Sequence, residues 1–224
     1  MMISEQTMQV LKNFASINPN IVINEGNVLQ TISEAKNVVS KCIVDVEFPK
    51  QFGVFDLNEF LAVLNLVDKP ELKFEDDFVT VCDSVGRTRI KYYYSDIDIL
   101  TKPSGPVKNM DADVKFVLDH NTLSKIRRAS SVLGHTEVSV KCIDSIVCLS
   151  VADNSDSTSN AYVVELDGTY TKEDFNFVFN INNLKMVEGD YDVSISHLGI
   201  SHFVNKNTKI EYWVALEKSS TYGE

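Results

Sequence analysis

Residues 114–134 read VKFVLDHNTLSKIRRASSVLG, and the plan of the chain is clearest there. Val114–Leu118 reads as a strand. Asp119 or Asn121 then offers a side-chain oxygen to cap a helix, and Gly134 supplies its stop. Inside the helix, Leu123, Ile126, Ser130 and Leu133 recur at spacings of three and four, which places them on one core-facing stripe. Lys125, Arg127 and Arg128 lie off that stripe. They stand against a single acidic residue, Asp119, a local charge of +2 in a chain of formal net charge −11.

Working outward, the 224-residue chain repeats this order of elements. The N-terminal run 4–18 predicts a helix capped by Ser4, striped by Met8, Leu11, Phe14 and Ile17, and closed by Pro19. Strands are predicted over 21–24, 28–33 and 38–47; in the last, Cys42, Val44 and Val46 alternate with Ile43, Asp45 and Glu47. A second helix is predicted over 56–67, with Asp56 as N-cap, Glu59 three residues on, and Leu57, Phe60, Leu61 and Leu64 as its apolar face. Strands follow over 71–74, 78–83 and 87–94. Residues 95–113, with Pro103, Gly105 and Pro106, break the pattern and read as a connector. Beyond 134, strands are predicted over 136–142, 146–152, 162–166 and 175–179, then a short helix over 181–186, then strands over 190–196, 200–204 and 209–216. The reading is α+β: an N-terminal domain 1–94, a connector 95–113 and a C-terminal domain 114–224, each domain with two helices on one face of an antiparallel sheet.

Composition narrows the class. Hydrophobic residues make up 44% and charged residues 24%, enough for a core and too many apolar groups for disorder. No apolar run is long enough for a membrane helix, and 1–8 lacks the basic and apolar parts of a secretion signal. Cys42, Cys82, Cys142 and Cys148 form no CxxC pair and sit in strand-like runs, as buried thiols do, so a reducing cytoplasm is expected and no metal or redox site. The net acidity speaks against nucleic acid, where affinity is dominated by phosphate neutralisation, but distribution outweighs the sum. From charge alone, Lys125, Arg127 and Arg128 read as a solvated face. Alternatively, with Lys12 and Lys185 on the first and fourth helices, they line a surface that touches phosphates without reading bases.

Three stretches match a known family in order and spacing: Val10-Leu11-Lys12-Asn13-Phe14-Ala15-Ser16-Ile17-Asn18, Asp56-Leu57-Asn58-Glu59-Phe60-Leu61, and 175–186 (FNFVFNINNLKM) running on through Gly189 and Tyr191. On these the chain resembles the sliding clamps of T-even-type bacteriophages over nearly its whole length. The resemblance implies a DNA-clamp fold, a head-to-tail homotrimer closed into a ring, helices lining the hole and sheets outside. It implies a non-enzymatic processivity factor that encircles double-stranded DNA, tethers the replicative DNA polymerase, is placed by a clamp-loader ATPase and works without a cofactor. Late-transcription factors are a further partner class that the sequence leaves open. By position in the helices, Lys12, Lys125, Arg127, Arg128 and Lys185 are the DNA-facing candidates, Lys125 and Arg128 foremost because they share a face, with Arg127 reading alternatively as a carboxylate partner or a protomer-interface residue. A peptide pocket beside the connector and the last strand implies Ile97, Ile99, Leu100, Ala215 and Leu216, residues that also read as plain core packing.

Other chemistries find little support. There is no GxxxxGK[ST], GxGxxG, GxSxG or HExxH. His197 and His202 are weighed as a metal pair and read as ordinary residues. The polar loop Asp153-Asn154-Ser155-Asp156-Ser157 lacks the Gly and terminal Glu of a calcium loop. Tyr92-Tyr93-Tyr94 reads as a base-stacking platform or as a packed strand end. A single-strand-binding or other replication accessory protein is the competing function, and an enzyme of unknown type the third.

Overall fold

A computed structural model describes residues 1–223 except Ser84, Gly86, Pro106, Lys108, Asn109, Ser155 and Ser157. Three parts of the connector and two of the polar loop thus lie outside the described residues. The chain divides into two compact units, Met1–Pro106 and Val107–Glu224.

In the first unit Ser4 caps α1 (Glu5–Ile17), its Oγ accepting the Thr7 N–H at 3.0 Å. The elements that follow are β1 (Ile21–Ile23), β2 (Gly26–Ile32), β3 (Val38–Phe48), β4 (Phe52–Val54), α2 (Leu57–Asn65), β5 (Glu71–Phe74), β6 (Phe78–Cys82) and β7 (Arg89–Tyr93). β2 pairs β3, β1 pairs β4, and β5, β6 and β7 form a meander, all antiparallel. The alternation read in 38–47 is observed: Cys42 and Val44 are buried, with Ile43 half-exposed and Asp45 exposed between and beyond them. Asp45 is not idle on its outer face. Its Oδ1 accepts the hydroxyls of Ser4 at 2.6 Å and Thr7 at 2.9 Å, which ties the start of α1 to β3 and holds the carboxyl below its usual range. α1 and α2 pack together. Val10, Leu11 and Phe14 of the first and Leu57, Phe60, Leu61 and Leu64 of the second are buried there.

The second unit runs β8 (Val114–Leu118), α3 (His120–Leu133), β9 (Glu137–Ile143), β10 (Ile146–Val151), β11 (Tyr162–Leu166), β12 (Gly168–Tyr170), β13 (Phe175–Asn180), β14 (Tyr191–Ser196), β15 (Ile200–Asn205), β16 (Ile210–Ala215) and β17 (Thr221–Tyr222). One antiparallel array has the order β11-β10-β9-β13-β17, with α3 against β9, β10 and β11. A second has the order β12-β8-β14-β15-β16. Asp119 is the helix cap, and Gly134 closes the helix at φ 73°, a left-handed conformation that a side chain would strain.

Two expectations need correction. β4, β12 and β17 were not anticipated from the sequence. The fourth helix shrinks to one 3-10 turn, Ile181–Asn183, so Lys185 is not on a helix. Leu184 and Met186 are both buried while Lys185 between them is exposed, a period of two that an α-helix cannot serve.

Candidate nucleic-acid interface

α3 presents a buried stripe and an open face. Thr122, Leu123, Ile126 and Ser130 are buried. Asn121, Lys125, Arg128 and Val132, spaced four, three and four, are all exposed, so Lys125 and Arg128 share one face of the helix. Val132 is 77% exposed at the end of the same row. Among the described residues neither Lys125 nor Arg128 forms a carboxylate ion pair within 4.0 Å. At the helix start, Asp119 accepts the Thr122 N–H at 2.9 Å and its hydroxyl at 2.6 Å. Those two bonds hold the Asp119 carboxyl below its ordinary range.

Lys12 lies in the exposed row Glu5, Gln9, Lys12, Ser16 of α1. Lys185 is exposed in the irregular stretch after the 3-10 turn. Arg127 differs from the other four: it is half-buried, and its Nη2 donates to the backbone carbonyls of Leu184 at 2.6 Å and Met186 at 3.1 Å. Burial pulls its guanidinium below the usual value, opposed by Tyr191, Glu188 and Tyr212. Sequence reading missed these partners, which lie 57 and 59 residues away along the chain.

The expected peptide-pocket residues fall in different surroundings. In the first unit Leu100 is 6% exposed and Ile97 half-buried, whereas Ile99 is 67% exposed. Both inner residues lean on Gly53 of β4. A Cβ built there would lie 2.8 Å from Leu100 Cδ1, 3.3 Å from Ile97 Cγ2 and 2.6 Å from the Ser95 carbonyl oxygen. In the second unit Ala215 ends β16 opposite Ile200, and the Leu216 N–H donates to the Gly199 carbonyl at 2.9 Å. Both are half-buried.

The remaining candidates resolve into packing. His197 Nδ1 is 2.7 Å from Asp113 Oδ2 and its ring stacks on Tyr222, whereas His202 Nε2 is 2.9 Å from Glu211 Oε2 and its ring stacks on Trp213. Burial raises the Asp113 carboxyl, but hydrogen bonds from the His197 backbone and side chain and from Tyr222 outweigh it and hold it low. Among the described residues no cluster of three or more His, Cys, Asp or Glu is placed to hold a metal. Cys42, Cys82 and Cys148 are buried, Cys142 is half-buried, and all four are free thiols. Burial raises the Cys42 thiol to about 11. Tyr92 packs on Phe60 and Tyr94 on Phe52; burial raises both phenols to about 12, and only Tyr93 is exposed. No helix is long and apolar enough to cross a membrane among the described residues.

Two units, each built from helices and antiparallel strands, form the clamp class of fold, as comparison with solved structures shows. A. fulgidus PCNA, in a structure with the C-terminal region of FEN-1 bound, superposes with a TM-score of 0.72 at 15% identity, covering 100% of this chain and 98% of that one. The Helicobacter pylori beta clamp, bound to a DNA ligase peptide, gives 0.67 at 14% identity, over 98% of this chain and 66% of its own. Two family profiles divide the chain: "DNA polymerase processivity factor" matches residues 4–98 and "gp45 sliding clamp, C terminal" residues 115–218. The sliding clamp of Vibrio phage KVP40 is 31% identical over 222 residues, covering 97% of this chain and 99% of the relative. That of Enterobacteria phage T4 is 26% identical over 231 residues, with 99% of each covered. The chain belongs to the sliding-clamp family, and its function is that of a processivity factor for a DNA polymerase.

Proposed function

We propose that the chain is one protomer of a homotrimeric ring that encircles duplex DNA without sequence preference. The observation that carries this reading is the placing of charge. In a chain of net charge −11, α3 keeps its apolar stripe inward and holds Lys125 and Arg128 outward on one face. A few mobile cations suit sliding, because phosphate contacts position a protein on DNA without reading sequence. Lys185 adds to the α3 cations in the second unit, Lys12 on α1 is the first unit's phosphate contact, and retention comes from topology rather than tight binding. Such tethering keeps a polymerase at high effective concentration near its template. No catalytic group or cofactor is needed for that work. A separate clamp-loader ATPase would open and close the ring in the host cytoplasm.

Ring closure needs two different surfaces that meet head to tail. β7 and β11 are suited to it, since among the described residues each pairs on one side only within its own unit. β7 exposes Lys91 and Tyr93, and β11 exposes Val163 and Glu165, so the edges are opposite in charge as well as unpaired. We assign the domains as 1–94 and 114–224, joined by a connector over 95–113. Two apolar pairs are assigned to polymerase peptides, each within its own unit: Ile97 and Leu100 in the first, with Ile99 as an exposed rim, and Ala215 and Leu216 in the second. Peptides of FEN-1 and of DNA ligase accompany two clamps of the same fold and support peptide capture here.

The test is primer extension on circular and linear templates with the loader and polymerase present. Processive synthesis that survives on a closed circle and is lost when the circle is cut is the expected result. Light scattering should give three times the 25.1 kDa chain mass. Lys91→Glu should dissociate that trimer, and Glu165→Lys in the same chain should restore it. A strict monomer at every concentration, or tight binding to linear single strands without a loader, would favour the accessory-protein reading instead.

A further inference from the structure

Residues 184–187 follow the 3-10 turn with no regular element to hold them, yet their backbone is pinned at almost every step. Before the turn ends, the Ile181 N–H donates to the Thr136 carbonyl at 2.8 Å, and the Leu184 N–H donates to the Ile181 carbonyl at 3.0 Å. Tyr212 Oη accepts the Val187 N–H at 3.2 Å, and Tyr191 Oη donates to the Val187 carbonyl at 2.7 Å. Both phenol rings are fully buried. Between these fixings, the carbonyls of Leu184 and Met186 converge on one nitrogen, Nη2 of Arg127. A terminal guanidinium nitrogen carries two N–H bonds, so it can serve both oxygens at once. Two carbonyls two residues apart that face the same cation hold the stretch in one conformation. In that conformation Lys185 is exposed while Leu184 and Met186 are each 4% exposed.

We propose that Arg127 is a positioning residue: it clips residues 184–186 to α3 so that Lys185 is presented to DNA phosphate together with Lys125 and Arg128. The inference rests on the reading of Lys185 as a phosphate contact. It separates two neighbours on one helix: Arg128 faces outward to the ligand, and Arg127 acts through the backbone of another segment. An arginine suits the task because a hydrogen bond from a cation to a carbonyl is stronger than one between neutral groups, and because the guanidinium stays charged when half-buried.

The test is a double-mutant cycle read in the salt dependence of binding to a linear duplex, with the trimer verified by light scattering. Each phosphate contact contributes about 0.9 to the slope of log K against log salt, every slope change being taken per protomer, one third of the trimer's. Lys185→Ala should lower the slope by about 0.9, and Arg127→Met, which keeps the stem and removes the donors, by up to the same amount. The double variant should lose no more than Lys185→Ala alone, and Arg127→Lys should recover part of the loss. Amide exchange over 184–187 should speed about tenfold in Arg127→Met and stay unchanged in Lys185→Ala. A double variant that loses about 1.8 would show Arg127 touching DNA itself and overturn the proposal. Unchanged exchange in Arg127→Met would overturn the clip. Faster exchange there with a normal slope in Lys185→Ala would leave the clip standing and overturn the reading of Lys185.

Discussion

Helices α2 and α3 are started alike and finished differently. Asp56 opens one by accepting the N–H groups of Asn58 and Glu59 at 2.9 and 3.0 Å; Asp119 opens the other through Thr122. Each buries a row at helical spacing. On α2 that row is wholly large and apolar, Leu57, Phe60, Leu61 and Leu64, whereas on α3 it includes Thr122 and Ser130, the latter donating its hydroxyl to the His135 carbonyl. The outward faces diverge further. α2 shows Asn58, Glu59, Ala62 and Asn65, and α3 shows Ser124, Lys125, Arg128 and Ser131. The difference teaches that the inward row fixes where a helix lies and leaves the outward row free to differ. The two can be altered separately.

The largest expected effect breaks the inward side. Phe60→Ala removes a fully buried ring that packs on Tyr92 at 5.0 Å, and should cost about 3–5 kcal/mol in denaturant unfolding. Leu123→Ala on α3 should cost about 2–5 kcal/mol on the same scale. If Phe60→Ala proved harmless, the inward rows would not be what seats these helices.

Next comes the outward side. Lys125→Glu with Arg128→Glu should leave the melting temperature and trimer mass within error yet reduce processive synthesis at least tenfold at moderate salt. Unchanged processivity would remove α3 from the DNA-facing surface. The reciprocal change on α2, Glu59→Lys, should alter processivity far less.

A smaller effect sharpens the likeness of the two starts. Asp119→Ala should cost about 1 kcal/mol of stability. Because the Asp119 carboxyl is held low when folded, its stabilising contribution is present above the ordinary carboxylate pKa of about 3.9 and is lost as pH falls through the folded value. Asp119→Asn should therefore differ from the parent chain at neutral pH, and the gap should close in acid. A gap that widened in acid would reverse the assigned sign.

The sequence carried the three helices well because caps and apolar rows are local signals: Ser4, Asp56, Asp119 and Gly134 stand where the helices begin or end. Strands 71–74, 114–118 and 162–166 agree with the structure end to end. β4, β12 and β17 escaped because two or three residues hold no period, and only distant partners such as Ile21–Ile23 for β4 make them strands. In 181–186 the apolar residues Ile181, Leu184 and Met186 suggested a helix, but their spacing shifts from three to two, a sign available in the sequence and passed over. At the interface, the exposure of Lys125 and Arg128 was legible as an off-stripe position. The commitment of Arg127 was not, since a guanidinium bonding two remote carbonyls leaves no trace in local spacing.

Gly53 is hemmed in by backbone as well as side chains. One added methyl would collide with the Ser95 carbonyl and with Leu100, so the first unit tolerates only a hydrogen atom at that point. Nearby, Asp96, Asp98 and Ile99 are exposed and face no such restriction. Surface letters of the linker can therefore drift as partners change, while its anchorage is locked by a residue with nothing to show. Gly53→Ala would act as a wedge from behind, displacing Ile97 and Leu100 with neither residue itself substituted, a remote lever on the apolar pair proposed for partner peptides.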